Sequence, residues 1–449
     1  MNESSKLITL IENLSIISIE KLINILNYLN KEEKLQVEKA YEFASLKHQN
    51  QYRKSGDPYI THPLSVAYIL SYFYKADKDT IIASLLHDVV EDTKTSILDI
   101  ERMFGKEVSI LVDGITKFDS KKFKDKTEKV AANQRKLMTS ILKDPRSSII
   151  KVCDNLHNIL TLQYHKPEKR IENAMESLEY YVPLAKRLGM NTMATMISDL
   201  ALKYISTNSH YKEVQTFFSE FILNNYNHII ELKRDIQAIL NTKNIEEKIE
   251  IEYKDLYSMH EQLSKSDNLN QFRDMVQLKI IVKNEEDCAK VYAILSKIYP
   301  IFHEHFRDYI KCPKAELYKS IDGPIEQNTM VQIRTKEMDK VAKDGIASYW
   351  NIYGKNAKTQ MIEVLKNKSN FYAALMSMNN YYKENIDFLY AIHTIVNEES
   401  LDTILYGTIE ENPFYSSMIR KIIDMYFDDN LKLVAKYSLE IKSPPVYKK

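Results

Sequence analysis

The chain contains little cysteine for its length. Its 449 residues include only Cys153, Cys288 and Cys312. Three thiols spaced so widely cannot form a disulfide framework, which excludes the class of small secreted domains held together by such bonds. We therefore expect a protein of a reducing compartment, that is, a cytoplasmic protein.

The chain also lacks a net charge and a long hydrophobic run. Its 62 basic and 62 acidic residues cancel, so no overall field attracts nucleic acid or a membrane surface. The apolar stretch at residues 7–29 is interrupted by Glu12, Asn13, Glu20 and Lys21, which is typical of an amphipathic helix and not of a membrane span. The first residues, Met-Asn-Glu-Ser-Ser, lack the basic start of a signal peptide. We expect neither a membrane nor direct nucleic-acid binding.

Glycine and proline are scarce, with 8 and 11 residues, and this scarcity favours helices. Helical periodicity runs through the first 250 residues and continues, less distinctly, near the end of the chain. The predicted helices of the first part are Lys34–His48, Ser65–Phe73, Thr80–Asp92, Ile97–Phe104, Asn133–Leu142, Ile149–Leu162 and Ile171–Leu188.

The pattern changes after residue 250. Two β-branched runs, Met275–Val282 and Met330–Thr335, are predicted strands, and Glu286–Ile298 between them is a predicted helix. Alternation of this kind is typical of a small α/β domain. We therefore predict a multidomain, mainly α protein: an all-α domain at 1–195, a helical connector at 196–235, an α/β domain at 236–355 and a helical region of unknown role at 356–449.

The segment Thr80–Asp92 carries the most informative motif, His-Asp-Val-Val-Glu-Asp. A helix with about 100° per residue presents one apolar face and one polar face. The polar face would carry Ser84, His87, Asp88, Glu91 and Asp92. Neighbouring carboxylates repel each other on a helix, and a cation bound between them would replace that repulsion by attraction. A solvated polar face is the ordinary interpretation of such a pattern when it stands alone.

Two further segments favour a metal site. Upstream, a loop dense in His, Arg and Lys ends in His62-Pro63, and downstream Asp154 and Asn158 lie four residues apart on one predicted helix face. The order His, His-Asp, Asp, spread over several helices, is the ligand order of HD-type metal-dependent phosphohydrolases.

Residues 35–190 resemble the hydrolase domain of the RelA/SpoT family, which handles the alarmones ppGpp and pppGpp of the stringent response. Five segments carry the resemblance in the family's order, and they are Arg53–Pro63, Leu85–Thr93, Phe104–Val108, Leu111–Lys117 and Pro183–Met190. The resemblance implies an all-α HD-type phosphohydrolase domain.

The resemblance also implies the site. It gives Mn²⁺ as the cofactor, held by four ligands, which are His62, His87, Asp88 and Asp154. Two imidazoles with two carboxylates suit such an ion, although Zn²⁺ or Fe²⁺ would be chemically acceptable. By the same resemblance, the catalytic pair that orients or deprotonates the attacking water is Glu91 and Asp92.

Four substrate contacts are implied in the same way: Arg53, Lys54, Asn158 and Thr161. Without the resemblance, the first two would simply be an exposed basic loop. His157 is expected to be structural, because we place its face away from Asp154. Asn155 departs from the family, which commonly has an arginine there, so a supporting charge is expected to be missing.

The α/β domain resembles the alarmone synthetase of the same family, in a degenerate form. Asp274 falls at the family's magnesium-binding aspartate, and Tyr318 at the tyrosine that stacks on guanine. Met330 stands where the family has a glutamate, and a thioether neither binds Mg²⁺ nor accepts a proton. Glu261 lies where basic residues would meet ATP. The alternative is a local slip of the alignment in which Glu326 supplies the missing carboxylate.

The expected function is Mn²⁺-dependent hydrolysis of (p)ppGpp to GDP or GTP and pyrophosphate, by a guanosine-3′,5′-bis(diphosphate) 3′-diphosphatase. The second domain is expected to be an inactive or regulatory pseudo-synthetase that could still bind GDP or GTP through Tyr318. Two alternatives are a bifunctional synthetase/hydrolase and a sensor that binds the alarmone without turnover. The oligomeric state and the preference between ppGpp and pppGpp stay open.

Overall fold

The computed structural model describes residues 3–15, 17–118, 123, 126–206, 208–265, 274–312, 317–326, 328–368 and 370–397. The described chain is mainly helical and contains one small sheet. None of its helices is both long and apolar enough to cross a membrane. The predicted multidomain, mainly α fold is confirmed. Residues 398–449, within the predicted C-terminal helical region, lie outside the described residues.

The described residues of the first part form helices and one isolated β-bridge, between Tyr52 and Pro58. Its helices are α1 (Glu3–Leu14), α2 (Ile19–Ile25), α3 (Lys31–Lys47), α4 (Thr61–Tyr74), α5 (Lys78–Leu86), α6 (Val89–Asp92), α7 (Ile97–Phe104), α8 (Lys106–Ile115), α9 (Lys126–Lys143), α10 (Arg146–Leu160), α11 (Pro167–Glu176), α12 (Val182–Arg187) and α13 (Asn191–Ile205). Local caps set several starts: Asn30 and Glu33 form a capping box at α3, as Ser96 and Asp99 do at α7.

The helix predicted at Thr80–Asp92 is interrupted. Helix α5 ends at Leu86 and the single turn α6 begins at Val89, so His87 and Asp88 lie at the junction between them. The predicted division into one apolar face and one polar face is also wrong, because all of residues 80–89 are buried. The reason is tertiary: α5 is packed against its neighbours all round, and its buried hydroxyls bond within the protein, Thr80 to Asp77 and Ser84 to the Ile81 carbonyl, instead of facing water.

The helix predicted at Ile171–Leu188 is also divided. A π-helical turn, Ser177–Tyr181, separates α11 from α12. Pro183 explains the irregularity, because a proline has no N–H to donate to the carbonyl four residues earlier, and a widened turn accommodates the lost bond.

The second part contains the sheet. Its elements are α14 (Asn208–Thr242), β1 (Glu247–Tyr253), α15 (Leu256–Lys265), β2 (Val276–Val282), α16 (Glu285–Ile298), α17 (Pro300–His305), β3 (Arg307–Asp308), β4 (Ile321–Glu326), β5 (Thr329–Thr335) and α18 (Lys336–Asp344). The strand order is β1-β2-β5-β4-β3, and only the β2–β5 pair is parallel. That parallel pair requires a long connection, which α16 and α17 provide.

The chain then returns to the helical part through α19 (Tyr349–Tyr353), α20 (Ala357–Lys368), α21 (Asn370–Tyr381) and α22 (Asn385–Asn397). Two hydrophobic cores follow from this path. The first core holds buried residues from Leu10 to Ala201 and again from Ile346 to Ile392. The second core holds residues from Val214 to Ile333. The sequence-based limits at 195, 235 and 355 therefore differ from where the two cores begin and end.

The two stretches of the first core meet at a close backbone contact. The Ile346 amide donates to the Leu188 carbonyl over 3.0 Å. Gly345, with a positive φ of 56°, lies against Gly189, and a Cβ on Gly345 would come within 2.0 Å of the Leu188 oxygen. Only glycine fits this junction.

Candidate metal centre

Three helices bring two histidines and an aspartate together. His62 lies at the start of α4, His87 at the end of α5, and Asp154 in the middle of α10. One possible ligand atom from each lies within 4.8 Å of the others, and all three side chains are buried. The Nε2 atom of His62 is 3.1 Å from Asp154 Oδ1, and that of His87 is 3.8 Å from the same oxygen. This is a compact set of nitrogen and oxygen donors.

The imidazole contacts fit a metal ion. His87 Nδ1 lies 2.7 Å from the Ser84 carbonyl oxygen, so Nδ1 carries the proton and the Nε2 lone pair faces the cluster. Within the described residues this buried Nε2 has no hydrogen-bond partner. A buried, unpaired nitrogen is costly unless something binds it. Fixing one ring nitrogen by a backbone carbonyl is the usual arrangement around metal-bound histidines.

Asp88 adjoins the same cluster. Its carboxylate oxygens lie 3.3 Å from His87 Nε2 and 3.6 Å from His62 Nε2. The Tyr59 hydroxyl donates to Asp88 Oδ2 over 2.8 Å, although the sequence indicated no such role for the tyrosine. The histidines hold the pKa of the Asp88 carboxyl below its usual value, against the opposing effect of burial. All four residues expected as ligands are therefore neighbours.

Lys151 is a member of the site that the sequence did not reveal. Its Nζ lies 2.5 Å from Asp154 Oδ2, and both side chains are buried. Burial opposes both charges, but each partner overcomes that effect: the pKa of Lys151 is raised and the pKa of Asp154 is held well below its usual range. The only available signal was a lysine three residues before Asp154, on the same side of one helix. The pair fixes Asp154 as a carboxylate with Oδ1 towards the histidines.

Glu91 and Asp92 lie on the single turn α6, beside the cluster. The Lys117 backbone N–H donates to Glu91 Oε1 over 2.5 Å. Burial raises the pKa of the Glu91 carboxyl, and Lys151 opposes that rise. Asp92 is exposed at the rim of the same cavity. Glu91 is therefore a half-buried carboxylate with enhanced basicity.

The four expected substrate contacts lie around the cavity mouth, where Lys54 is exposed. Arg53 Nη2 donates to Asn158 Oδ1 and to Thr161 Oγ1, each over 3.3 Å, and its guanidinium lies 5.8 Å from the centre of the Tyr59 ring. The cavity over the cluster measures about 340 Å³, and a neighbouring cavity of about 200 Å³ is lined by Lys54 and Arg53.

His157 was predicted to face away from the site, and that prediction is wrong. Its Nδ1 lies 2.8 Å from Nδ1 of His62, so one of these nitrogens donates to the other. Three residues after Asp154 is a rotation of about 300°, which leaves the two side chains only about 60° apart on the helix. Burial lowers the pKa of His157 far below its ordinary value, so a neutral ring orients His62. Asn155, where the family commonly has an arginine, donates to Ser177 Oγ over 3.0 Å.

In the sheet domain the expected synthetase positions are separate. Asp274, exposed and with a positive φ of 61°, precedes β2. Met330 lies on β5 between Gln277 of β2 and Pro324 of β4. Glu326, the alternative carboxylate, lies at the end of β4, where its Oε2 is 2.8 Å from His228 Nε2.

Tyr318 is held by its neighbours. Its hydroxyl donates to Asp322 Oδ2 over 2.6 Å and accepts from Gln332 Nε2 and Arg334 Nη2. The Arg334 guanidinium also lies 5.2 Å from the centre of the Tyr318 ring. One side of the ring is thus already covered by a cation.

Two domain models match the chain. The model described as an HD domain matches residues 40–191, which contain the whole cluster. The model described as a region found in RelA/SpoT proteins matches residues 252–358, which contain most of the sheet. The first part is therefore an HD domain, the class of helical fold that places histidines and aspartates around a metal ion.

Curated relatives agree with both matches. The bifunctional (p)ppGpp synthase/hydrolase SpoT of Escherichia coli K12 is 35% identical over 338 residues, which are 74% of this chain and 48% of that protein. The guanosine-3′,5′-bis(diphosphate) 3′-pyrophosphohydrolase of Borreliella burgdorferi is 31% identical over 423 residues, 85% of this chain and 62% of that protein. A GTP pyrophosphokinase of Streptomyces coelicolor is 37% identical over 323 residues, 70% of this chain and 37% of that protein.

The chain belongs to the RelA/SpoT family. It spans about half of the length of the curated relatives that it matches.

Proposed function

We propose that the chain hydrolyses ppGpp or pppGpp to GDP or GTP and pyrophosphate, with Mn²⁺ as its metal. The observation that carries the proposal is the buried His62, His87 and Asp154 group at the base of a cavity whose mouth presents Arg53. Cationic groups at the mouth and a carboxylate beside a metal-type cluster suit a phosphorylated substrate and its cleavage by water. The name of the Borreliella relative points to the same reaction.

The residues present fit a divalent ion. Its ligands would be the Nε2 atoms of His62 and His87 together with Asp88 and Asp154, since these donors already face one another. Such an ion supplies two effects when bound: it lowers the pKa of a bound water and neutralises phosphate oxygens. His157 and the Ser84 carbonyl orient the two imidazoles, and Lys151 and Tyr59 orient the two carboxylates.

Glu91 is the proposed general base. Cleavage breaks the bond between the ribose 3′ oxygen and its phosphorus, while water forms a bond to that phosphorus and loses a proton. A half-buried carboxylate with a raised pKa is a good acceptor for that proton. The ribose 3′ oxygen is the leaving group, and it takes up a proton to become the 3′ hydroxyl of GDP or GTP. Asp92, exposed at the rim, is proposed to orient the attacking water.

The substrate would extend over both cavities. They share Arg53, Tyr59 and His165, so a ligand with its 3′ phosphates over the cluster would pass the guanidinium on its way to the smaller cavity. Asn158 donates to Asp154 Oδ1 over 2.7 Å while accepting from Arg53, which connects the substrate-facing arginine to a proposed ligand. Lys54, exposed at the mouth, would meet phosphate oxygens.

The test is direct. Purified protein should release pyrophosphate from ppGpp with Mn²⁺, and EDTA should abolish release. His87→Ala and Asp88→Ala should lose this activity while keeping the helical circular-dichroism spectrum, because each removes a ligand from the cluster. Lys143→Ala, an exposed residue of α9, is the matched control. Near-parental turnover in either ligand variant at saturating Mn²⁺ would refute the assignment, and ppGpp binding without turnover would favour the sensor alternative.

We further propose that the sheet domain does not synthesise alarmone. Met330 offers no carboxylate, and the basic residues on its face of the sheet are occupied internally. Lys279 pairs with Glu252, and Lys343 lies 2.8 Å from Asp339 and 3.1 Å from Glu250. Phosphoryl transfer depends on cations free to meet the phosphates and on bound Mg²⁺.

The bifunctional alternative is supported by the name of the Streptomyces relative, and one assay separates the two. ATP with GDP or GTP and Mg²⁺ should yield no ppGpp in the His87→Ala background, where product would not be consumed. Accumulation at about 1 s⁻¹ or faster, the low end of ordinary turnover, would establish a working synthetase.

Occupancy of the sheet domain by a guanine nucleotide is a separate question. Tyr318→Ala should alter any effect of GDP or GTP on hydrolysis while leaving basal hydrolysis unchanged. If the parent protein shows no such effect, the sheet domain is a structural scaffold and not a regulator of hydrolysis.

A further inference from the structure

Glu91 depends on contacts from outside its own helix. Helix α6 is a single turn of four residues that follows the break at His87 and Asp88. So short a helix is unstable in isolation and takes its orientation from tertiary contacts. The one hydrogen bond to the Glu91 carboxylate comes, within the described residues, from the Lys117 backbone N–H. The position of residue 117 therefore sets the position of the proposed base.

The segment 116–118 leaves α8 in an extended conformation, with φ −68° and ψ 129° at Thr116. Helix α9 holds it in place. The Phe118 backbone N–H donates to Asn133 Oδ1 over 2.8 Å. The Lys136 ammonium lies 4.7 Å from the centre of the Phe118 ring. Two adjacent backbone amides thus bind two side chains: that of residue 117 binds Glu91, and that of residue 118 binds Asn133.

Helix α9 is itself fixed from the far end of the chain. Arg135 donates to the backbone carbonyl of Asn379, in the last turn of α21, and to those of Tyr382 and Lys383, between α21 and α22. Its guanidinium also lies 4.9 Å from the centre of the Phe388 ring. A guanidinium with several carbonyl acceptors is strongly restrained, so the helix that carries Asn133 has a defined place relative to α8.

We propose that Asn133 is a positioning residue for Glu91. Its amide oxygen fixes the Phe118 amide, which fixes the preceding peptide and so directs the Lys117 N–H at the Glu91 carboxylate. Within the part of the chain that the structure describes, Asn133 makes no hydrogen bond to the metal-type cluster, and it lies outside the lining of the cavity above it. The effect on catalysis rests on the hydrolase function proposed above, whereas the effect on the backbone does not.

The experiment uses one pair of variants of the full chain. Asn133→Ala removes the acceptor, and Asn133→Asp keeps an acceptor oxygen at the same place. Lys143→Ala, on the same helix and exposed, controls for general effects on α9. Three quantities are measured for each variant: kcat and KM for ppGpp with Mn²⁺, Mn²⁺ affinity by calorimetry, and amide hydrogen exchange of the peptide containing residues 115–118 in metal-free protein.

In Asn133→Ala we expect kcat to fall about 10-fold, the lower range for loss of a supporting hydrogen bond around a metal site. KM and Mn²⁺ affinity should stay within twofold, and exchange at residues 117 and 118 should accelerate. Asn133→Asp should restore both kcat and slow exchange. Unchanged kcat and exchange in the alanine variant, or no restoration by aspartate, would overturn the proposal.

The two proposals fail in different ways. If the parent protein does not hydrolyse ppGpp, the proposed function is wrong, and the exchange measurement still decides whether Asn133 holds residues 117 and 118. If the parent is active and Asn133→Ala accelerates exchange without changing kcat, Asn133 is a structural residue only, and the positioning proposal is refuted.

Discussion

Replacement of Lys151 by methionine should weaken the metal-free protein substantially. Its ammonium lies 2.5 Å from Asp154 Oδ2, with side-chain exposures of 9% and 4%. At an effective dielectric constant of about 20, that separation corresponds to roughly 6–7 kcal/mol of gross Coulomb attraction, offset by the cost of burying both charges. Removal of one partner from a buried pair typically costs about 3–5 kcal/mol, because the remaining charge is left uncompensated. Methionine keeps the length of the side chain, so packing contributes little to the loss.

The protein offers its own probe for this measurement. The single tryptophan, Trp350, is buried in the first core, and its indole N–H donates to Asp77 over 2.7 Å. Urea unfolding followed by its fluorescence reports on the core that contains Lys151. The exposed control, Lys143→Met, should stay within about 0.5 kcal/mol of the parent, as surface substitutions usually do.

Mn²⁺ should reverse much of the Lys151→Met loss, because the variant site has lost one positive charge and binds a cation more tightly. An ion at 100 times its Kd stabilises the folded state by about 2.7 kcal/mol, and the tighter-binding variant gains more than the parent at equal concentration. If Lys151→Met lowers the free energy of unfolding of the metal-free protein by less than about 1 kcal/mol, the Lys151–Asp154 pair is screened by water. Equal stabilisation of parent and variant by Mn²⁺ would show that the charge of Lys151 does not affect metal binding.

Three further changes test other parts of the structure. Glu91→Gln should slow hydrolysis at least ~100-fold with unchanged Mn²⁺ affinity, since it removes the proposed base but no ligand; a loss of metal binding instead would contradict the role. Burial raises the pKa of Glu179 to about 7, so the folded state should lose stability as the pH rises from about 4.5 to about 7. Glu179→Gln should therefore raise the melting temperature more at pH 8 than at pH 4.5. A difference in melting temperature that does not depend on pH would contradict the raised pKa. Gly345→Ala should lower the free energy of unfolding by about 2–5 kcal/mol, because the new Cβ clashes with Leu188 and φ is positive. Gly354→Ala, also at positive φ but with open space around it, should lower it by only about 1–2 kcal/mol.

The convergence of the proposed ligands could be predicted from the sequence, because residue type and order are local information. His62, His87 and Asp154 occur in the order that HD proteins use, and the structure brings them together. The break at His87 could not be predicted, because a continuous helical pattern passes through it. Lys151 was missed for a related reason: a lysine on a helix is ordinarily solvated, and only the packing of α10 shows that this one is buried.

The limits of the sheet domain could be predicted only roughly. The strands at Met275–Val282 and Met330–Thr335 were expected, and β2 and β5 lie there. The return of residues 346–392 to the first core was not expected. Amphipathic helices look alike in sequence whichever core they cover, and contacts such as Trp350 with Asp77 join residues 273 positions apart. Such pairings leave no local pattern.

The junction of Leu188 and Ile346 has a consequence for any attempt to divide the chain. A backbone hydrogen bond of 3.0 Å joins these two residues, and the first core takes its residues from both sides of the sheet domain, up to Ala201 and again from Ile346, so the sheet domain is inserted into the helical body. A fragment ending at residue 195 would expose the apolar surface that Ile346–Ile392 covers, and we expect it to aggregate. A shortened chain that keeps α1–α13 together with Ile346–Ile392 would keep that surface covered, and it would allow the helical body to be studied without the sheet.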